Sequence, residues 1–159
     1  MANQLFNIAK GRTVEYYSRI VSNDPANSAF ILLLLQANEA DAVLIDYDDL
    51  AAVLGAAGNT EATFTNYTRH TLTDAELAAL PPPDDTANNY DLDLPDQTWV
   101  AAGGTLDNTL TKAILCFDSD TTGGTDANLI PVAHYDFAVT TDGSTLSLIW
   151  NAAGFFRAS

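Results

Sequence analysis

Basic side chains are scarce in this chain. Lys and Arg total 6 against 21 Asp and Glu, a formal net charge of −15 over 159 residues. A surface of that sign repels nucleic acid, whose phosphates are gripped by Lys and Arg, and it repels anionic membrane faces. Neither a nucleic acid nor a membrane is therefore expected as partner. The same charge favours solubility at high local concentration, or a basic partner. Cysteine is nearly absent: Cys116 is alone, which excludes an intrachain disulfide. Its place inside the apolar run Ala113 to Phe117 marks it as a small buried hydrophobe rather than a reactive thiol. No apolar run is long, and the longest unbroken one, Ala29 to Leu35, falls far short of the roughly 20 residues that span a bilayer. Met1 to Gln4 lacks the basic stretch and following apolar stretch of a secretion signal. Synthesis in a reducing cytoplasm, and retention there until assembly, is the expectation.

Catalytic vocabulary is thin too. His70 and His134 are the only histidines, and Lys10 and Lys112 the only lysines, which leaves little for phosphate or Schiff-base chemistry. There is no Gly-x-Ser-x-Gly, phosphate loop or Cys-x-x-Cys. No cofactor is expected.

What is present is unevenly placed. Over residues 1–22, Lys10, Arg12 and Arg19 face Glu15 alone, a charge of +2; from Asn23 onward Arg69, Lys112 and Arg157 face 20 acids, a charge of −17. Residues 1–22 read as a mildly basic arm and helix on an acidic body, 23–159, that forms a single β-rich domain. Such an arm docks on its own body, the simpler reading, or on a neighbour, with Phe6, Lys10, Arg12, Tyr16, Tyr17 and Arg19 as its partner-binding side chains. Thr13 suits an N-cap, and Glu15 and Arg19 are spaced i,i+4 with the acid first, so a helix is expected from about Thr13 to Ser22.

The body reads as strands. Ala29 to Gln36 is a continuous apolar run of strand length, expected at the centre of a sheet and covered on both faces. Thr63 to Thr73 alternates like a half-exposed strand, Asp91 to Leu94 like an edge strand, and Trp99 to Ala102 is a further strand. Between Thr111 and Trp150 three apolar runs are separated by polar loops, the second carrying Asp142-Gly143, a pair suited to a tight hairpin. Ala152 to Arg157 is expected as a last strand. Short helices are expected at Asp46 to Leu54, capped by Asp46, and over one or two turns at Asp74 to Leu80, ended by Pro81, Pro82 and Pro83. Ala37 to Ala42 is expected as a turn. The pattern is that of a mainly β fold, a β-sandwich or jelly roll, with one N-terminal helix and one or two short ones.

Three acidic constellations invite a chemical reading. Asp118, Asp120 and Asp126 sit in a Gly-rich loop whose alternating oxygens resemble the start of a Ca²⁺ loop, but its twelfth position is Leu129, not Glu. A solvated hairpin loop is the competing reading. Asp46, Asp48 and Asp49 suit a helix start without a metal. Asp91, Asp93 and Asp96 contain the two carboxylates that glycoside hydrolysis needs, yet nothing marks a sugar cleft. His134, inside a strand pattern, is expected as a hydrogen-bonded sheet residue.

Several segments taken together resemble the small virion proteins of tailed-bacteriophage structural modules. They are Asn3 to Gly11, Phe30 to Leu35, Asn66 to Arg69, Asp96 to Trp99, Ala113 to Cys116, Asn128 to Pro131, Asp136-Phe137, Asp142-Gly143 and Gly154 to Arg157. The resemblance covers nearly the whole chain. It implies a non-enzymatic particle component, above all a capsid decoration or cement protein that binds the major capsid protein. Such proteins are commonly small β-rich dimers or trimers, so a homo-oligomer located in the virion, made in the bacterial cytoplasm, is implied. A neck, tail or fibre-associated subunit is the alternative within that class. Outside it stand a carbohydrate- or protein-binding β-module, which would need Trp99 and Trp150 exposed in a groove, and an enzyme, which would need His70 or His134 beside a carboxylate in a cleft.

Overall fold

The computed structural model describes residues 4–151 and 154–158. In chain order, a short strand β1 (Gln4–Leu5) and a 3-10 turn (Asn7–Ala9) lead into helix α1 (Thr13–Val21) and strand β2 (Ala29–Ala37). Helices α2 (Asp41–Leu44) and α3 (Leu50–Gly55) follow, then strands β3 (Thr60–Glu61), β4 (His70–Leu72), β5 (Tyr90–Leu92), β6 (Gln97–Trp99) and β7 (Thr109–Asp118). A second 3-10 turn (Asp126–Asn128) precedes β8 (Ile130–Thr140), β9 (Leu146–Leu148) and β10 (Phe156–Ala158). The fold is mainly β.

One antiparallel sheet organises everything. Its order is β1-β8-β7-β2, with β3 and β4 both on the far edge of β2. The continuous apolar run becomes β2, and it lies where such a run must, between neighbours on both edges and cores on both faces. Phe30, Leu32 and Leu34 enter one core, and Ile31, Leu33 and Leu35 the other. Leu32 to Leu35 are each fully buried, and each such side chain contributes roughly 2 kcal/mol relative to exposure. The first core is closed by Tyr16, Tyr17 and Ile20 of α1, by Leu92, Trp99 and Leu148 from the two-stranded ribbons β5–β10 and β6–β9, and by Phe155. The second is closed by Phe6, Leu44 of α2, Leu50 and Val53 of α3, and Leu129.

Helix α1 forms as expected, and Arg19 Nε donates to Glu15 Oε1 at 2.9 Å. Thr13 is its first residue rather than its cap, and the hydroxyl turns back to the Ala9 carbonyl at 3.3 Å. The cap of α3 is Asp49, whose Oδ1 accepts from Ala52 N at 2.7 Å. Asp46 accepts from the Asn7 side chain instead, joining the arm to this region. Helix α2 begins inside the segment expected as a turn.

Of the strand expected over Thr63 to Thr73 only β4, His70–Leu72, forms, and β3 lies ahead of that stretch at Thr60–Glu61. Tyr67 stands between the two short strands, and its hydroxyl accepts from Leu34 N at 3.1 Å and donates to Glu61 Oε1 at 2.8 Å. A side chain thus satisfies a β2 amide between the two short strands. The helical stretch expected at Asp74 reduces to one turn, closed by Glu76 accepting from the Thr73 amide at 2.7 Å. The Asp142-Gly143 pair does not close a hairpin, because β9 pairs with β6 and not with β8. Gly143 serves close approach instead. Its N donates to the Ala102 carbonyl at 2.8 Å, and a Cβ there would meet Gly104 Cα at 3.2 Å. The last strand is confined to Phe156–Ala158, with Ala152 and Ala153 outside the described residues.

Candidate functional site: charged clusters and a sealed histidine

The Gly-rich loop between β7 and β8 spends its carboxylates locally. Asp118 accepts from Asp120 N at 3.0 Å, and Asp120 accepts from the amide and hydroxyl of Thr122 at 3.0 and 2.6 Å. Asp126 accepts from both terminal nitrogens of Arg69, at 2.6 and 3.1 Å. Arg69 also holds Glu61 with Nε at 2.8 Å and Nη2 at 2.7 Å. Fork-to-carboxylate pairs of this kind are among the strong ones. The candidate Ca²⁺ ligands Asp118, Asp120 and Asp126 thus have protein donors as partners, and the loop is pinned to β3 by a guanidinium. Among the described residues no group of three His, Cys, Asp or Glu is placed to hold a metal ion. Hydrogen bonds from Arg69 keep the Asp126 carboxyl below its ordinary range, and those from Thr122 do the same for Asp120.

The arm divides into two kinds of residue. Phe6 is 0% exposed, Tyr16 2% and Tyr17 1%, all packed into the chain's own cores. Three of the six side chains named for a partner are thus taken inside, the self-docking alternative for the arm: aromatic rings that can reach an apolar core are buried there. Lys10, Arg12 and Arg19 are exposed. Arg12 and Arg19 pair with Glu15, and Lys10 donates to Asn7 Oδ1 at 2.6 Å.

A cluster that sequence reading did not find lies under α2. Lys112, with a side chain 4% exposed, pairs with Asp41 of α2 at 2.8 Å and with Asp136, its cross-strand neighbour on β8. Burial disfavours the ammonium, but the hydrogen bonds to Asp136 and Asp41 outweigh it and hold the group protonated above its usual range. The one available signal was a lysine set between Leu110 and Ala113, on a strand otherwise apolar.

His134 sits beside this cluster. It is 0% exposed, and neither ring nitrogen has a hydrogen-bond partner among the described residues. The expected hydrogen-bonded sheet histidine is thus a sealed one. Its ring and that of Phe6 meet in a T-shaped contact, with centroids 5.9 Å apart and planes at 89°. Burial, reinforced by Lys112, pushes its pKa down, while Asp41 and Asp136 pull the other way. His70 is also occupied, with Nδ1 2.7 Å from Gln97 Oε1 and its ring stacked on Trp99 at 4.3 Å. Burial raises the Cys116 thiol far above its ordinary pKa, so it stays a thiol.

The third acidic group is dispersed as well. Asp91 pairs with Arg157, Asp93 accepts from Leu94 N, and Asp96 accepts from Trp150 N. An aromatic groove of about 220 Å³ lies beside β8, lined by Tyr135, Phe137, Leu148, Ile149, Trp150 and Phe155. Trp150 stands edge-on to Tyr135 at 5.0 Å, and Ile149 is 73% exposed at its rim. No histidine lines it. Comparison with protein-family models, curated proteins and solved structures returns no match.

Proposed function

We propose that this chain is a non-enzymatic structural protein of a tailed-bacteriophage particle, a capsid decoration protein that binds the major capsid protein as a small homo-oligomer. The observation that carries the non-enzymatic part is the fate of the two histidines: one is stacked under Trp99 and bound to Gln97, the other is sealed in the core. Neither stands beside a carboxylate in an open cleft, the arrangement that acid–base chemistry calls for. The particle part rests on the resemblance of the sequence segments. It is supported by an outer surface that stays strongly acidic once the internal ion pairs are counted, a property that keeps a crowded, many-copy protein from aggregating. A neck, tail or fibre position is the alternative placement.

The groove beside Trp150 favours a second reading, a carbohydrate- or protein-binding β-module. Trp99, which that reading also needs at the surface, is 2% exposed. Co-sedimentation tests the first reading. Purified chain mixed with particles lacking it should pellet with them saturably, and a chain that stays in the supernatant while binding immobilised glycans would replace it with the second.

A further inference from the structure

We infer that the N-terminal arm, Gln4 to Ala9, is an acid-released latch: protonation of His134 lifts the arm off the central sheet while the rest of the fold stays assembled. His134 is the cross-strand partner of Gln4, and Phe6 packs against its ring in a T-shaped contact. A neutral imidazole fills this place as a flat, largely apolar ring. An imidazolium carries two N–H donors, and among the described residues neither ring nitrogen meets an acceptor.

The charges around the ring do not remove the problem. From β7 comes Lys112, a cation already fixed. From β8 and α2 come Asp136 and Asp41, both committed to Lys112. The arm itself brings no titratable side chain between Gln4 and Ala9, and Lys10 beyond it is exposed and bonded to Asn7. A proton on His134 therefore calls for water or for a rearranged neighbour.

The arm is the wall that yields. The β7–β8 ladder on the other side of His134 runs from Thr109 to Phe117. The arm is held by Gln4 and Leu5 on β8, by Phe6 N to the Val132 carbonyl at 3.0 Å, by Asn7 N to the Ile45 carbonyl at 2.8 Å, by the Asn7–Asp46 side-chain bond, and by the burial of Phe6. Local opening takes the segment with fewest attachments. Release uncovers the β8 edge at Ala133 and His134 together with the socket of Phe6, an interaction surface available only in acid.

The sign follows from linkage. The pKa of His134 in the closed state lies below the ordinary 6.5 of the open state. The closed arm is therefore fully favoured above that value, and loses ground as pH falls below it towards the closed-state pKa. Amide exchange of the full chain, expressed residue by residue as protection factors, reads this directly. Between about pH 7.5 and about pH 5 the amides of Phe6 and Asn7 should lose protection several-fold, with about thirtyfold as the ceiling that a closed state wholly unable to take the proton would give. Amides of the β2–β7 ladder should remain more protected than the arm at both pH values. In His134→Leu, or in His134→Gln if the first variant folds poorly, arm protection should be equal at both. Unchanged arm protection in the unmodified chain, the same loss in either variant, or ladder amides exchanging as fast as the arm would each overturn the inference.

Discussion

Lys112 is the side chain on which the most local electrostatics depends. It is the counter-charge for Asp41 and Asp136, and through Asp41 it ties α2 to the sheet. Lys112→Met keeps the apolar stem and removes the charge. The two carboxylates left behind are 30% and 29% exposed, so water relieves part of their repulsion. A loss of about 1–3 kcal/mol in urea unfolding is expected, below what a fully buried orphan charge gives; a loss under about 0.5 kcal/mol would place this cluster with ordinary surface pairs. The sequence did not reveal the cluster, because Asp41, Lys112 and Asp136 are far apart in the chain and only the β7–β8 register and α2 bring them together. For the arm aromatics it left two docking sites open, the chain's own body and a neighbour, for a related reason. Phe6, Tyr16 and Tyr17 have the composition of a partner-binding patch, and composition does not say whose core a ring will enter.

Elements with one strong local cause were legible, and those that depend on a distant partner were not. The apolar run that became β2 could be placed at the sheet centre, and the Glu15–Arg19 spacing marked α1. The Thr63 to Thr73 stretch alternates well enough for one strand, yet only His70 to Leu72 pairs with β2, and the Leu34 amide goes to the Tyr67 hydroxyl. Asp142-Gly143 has the chemistry of a hairpin, but Gly143 packs on the Ala102–Gly104 loop. The cap of α3 tests the local assignment. Asp49→Ala should cost about 1 kcal/mol in thermal or urea unfolding, and Asp46→Ala clearly less; the reverse ranking would return the cap to Asp46. Gly154 tests the β5–β10 ribbon. It has φ +75°, and a Cβ there would lie 2.0 Å from the Leu92 carbonyl oxygen, a backbone atom that cannot step aside. Gly154→Ala should lower stability by about 2 kcal/mol or more, and a variant as stable as the parent would contradict that close approach.

At the scale of the whole molecule the charge map and the fold point the same way. Arg12, Arg19, Arg69, Lys112 and Arg157 are each paired with acids of their own chain. With only 6 basic residues against 21 acids, the outer surface keeps a large negative excess. Such a surface repels its own copies at long range and leaves association to short-range contacts. Lys10, Arg12 and Arg19 at the exposed side of the arm, and the Ile149–Trp150 rim of the groove, are the regions where that excess is interrupted. The proposed place in a particle stands or falls with the presence of the chain there in number. Quantitative mass spectrometry of purified particles, with the copy number referred to the major capsid protein, measures this most directly. On the order of hundreds of copies per particle is the expected result for a shell protein set on a symmetric lattice; absence of the chain from the particles would contradict the account.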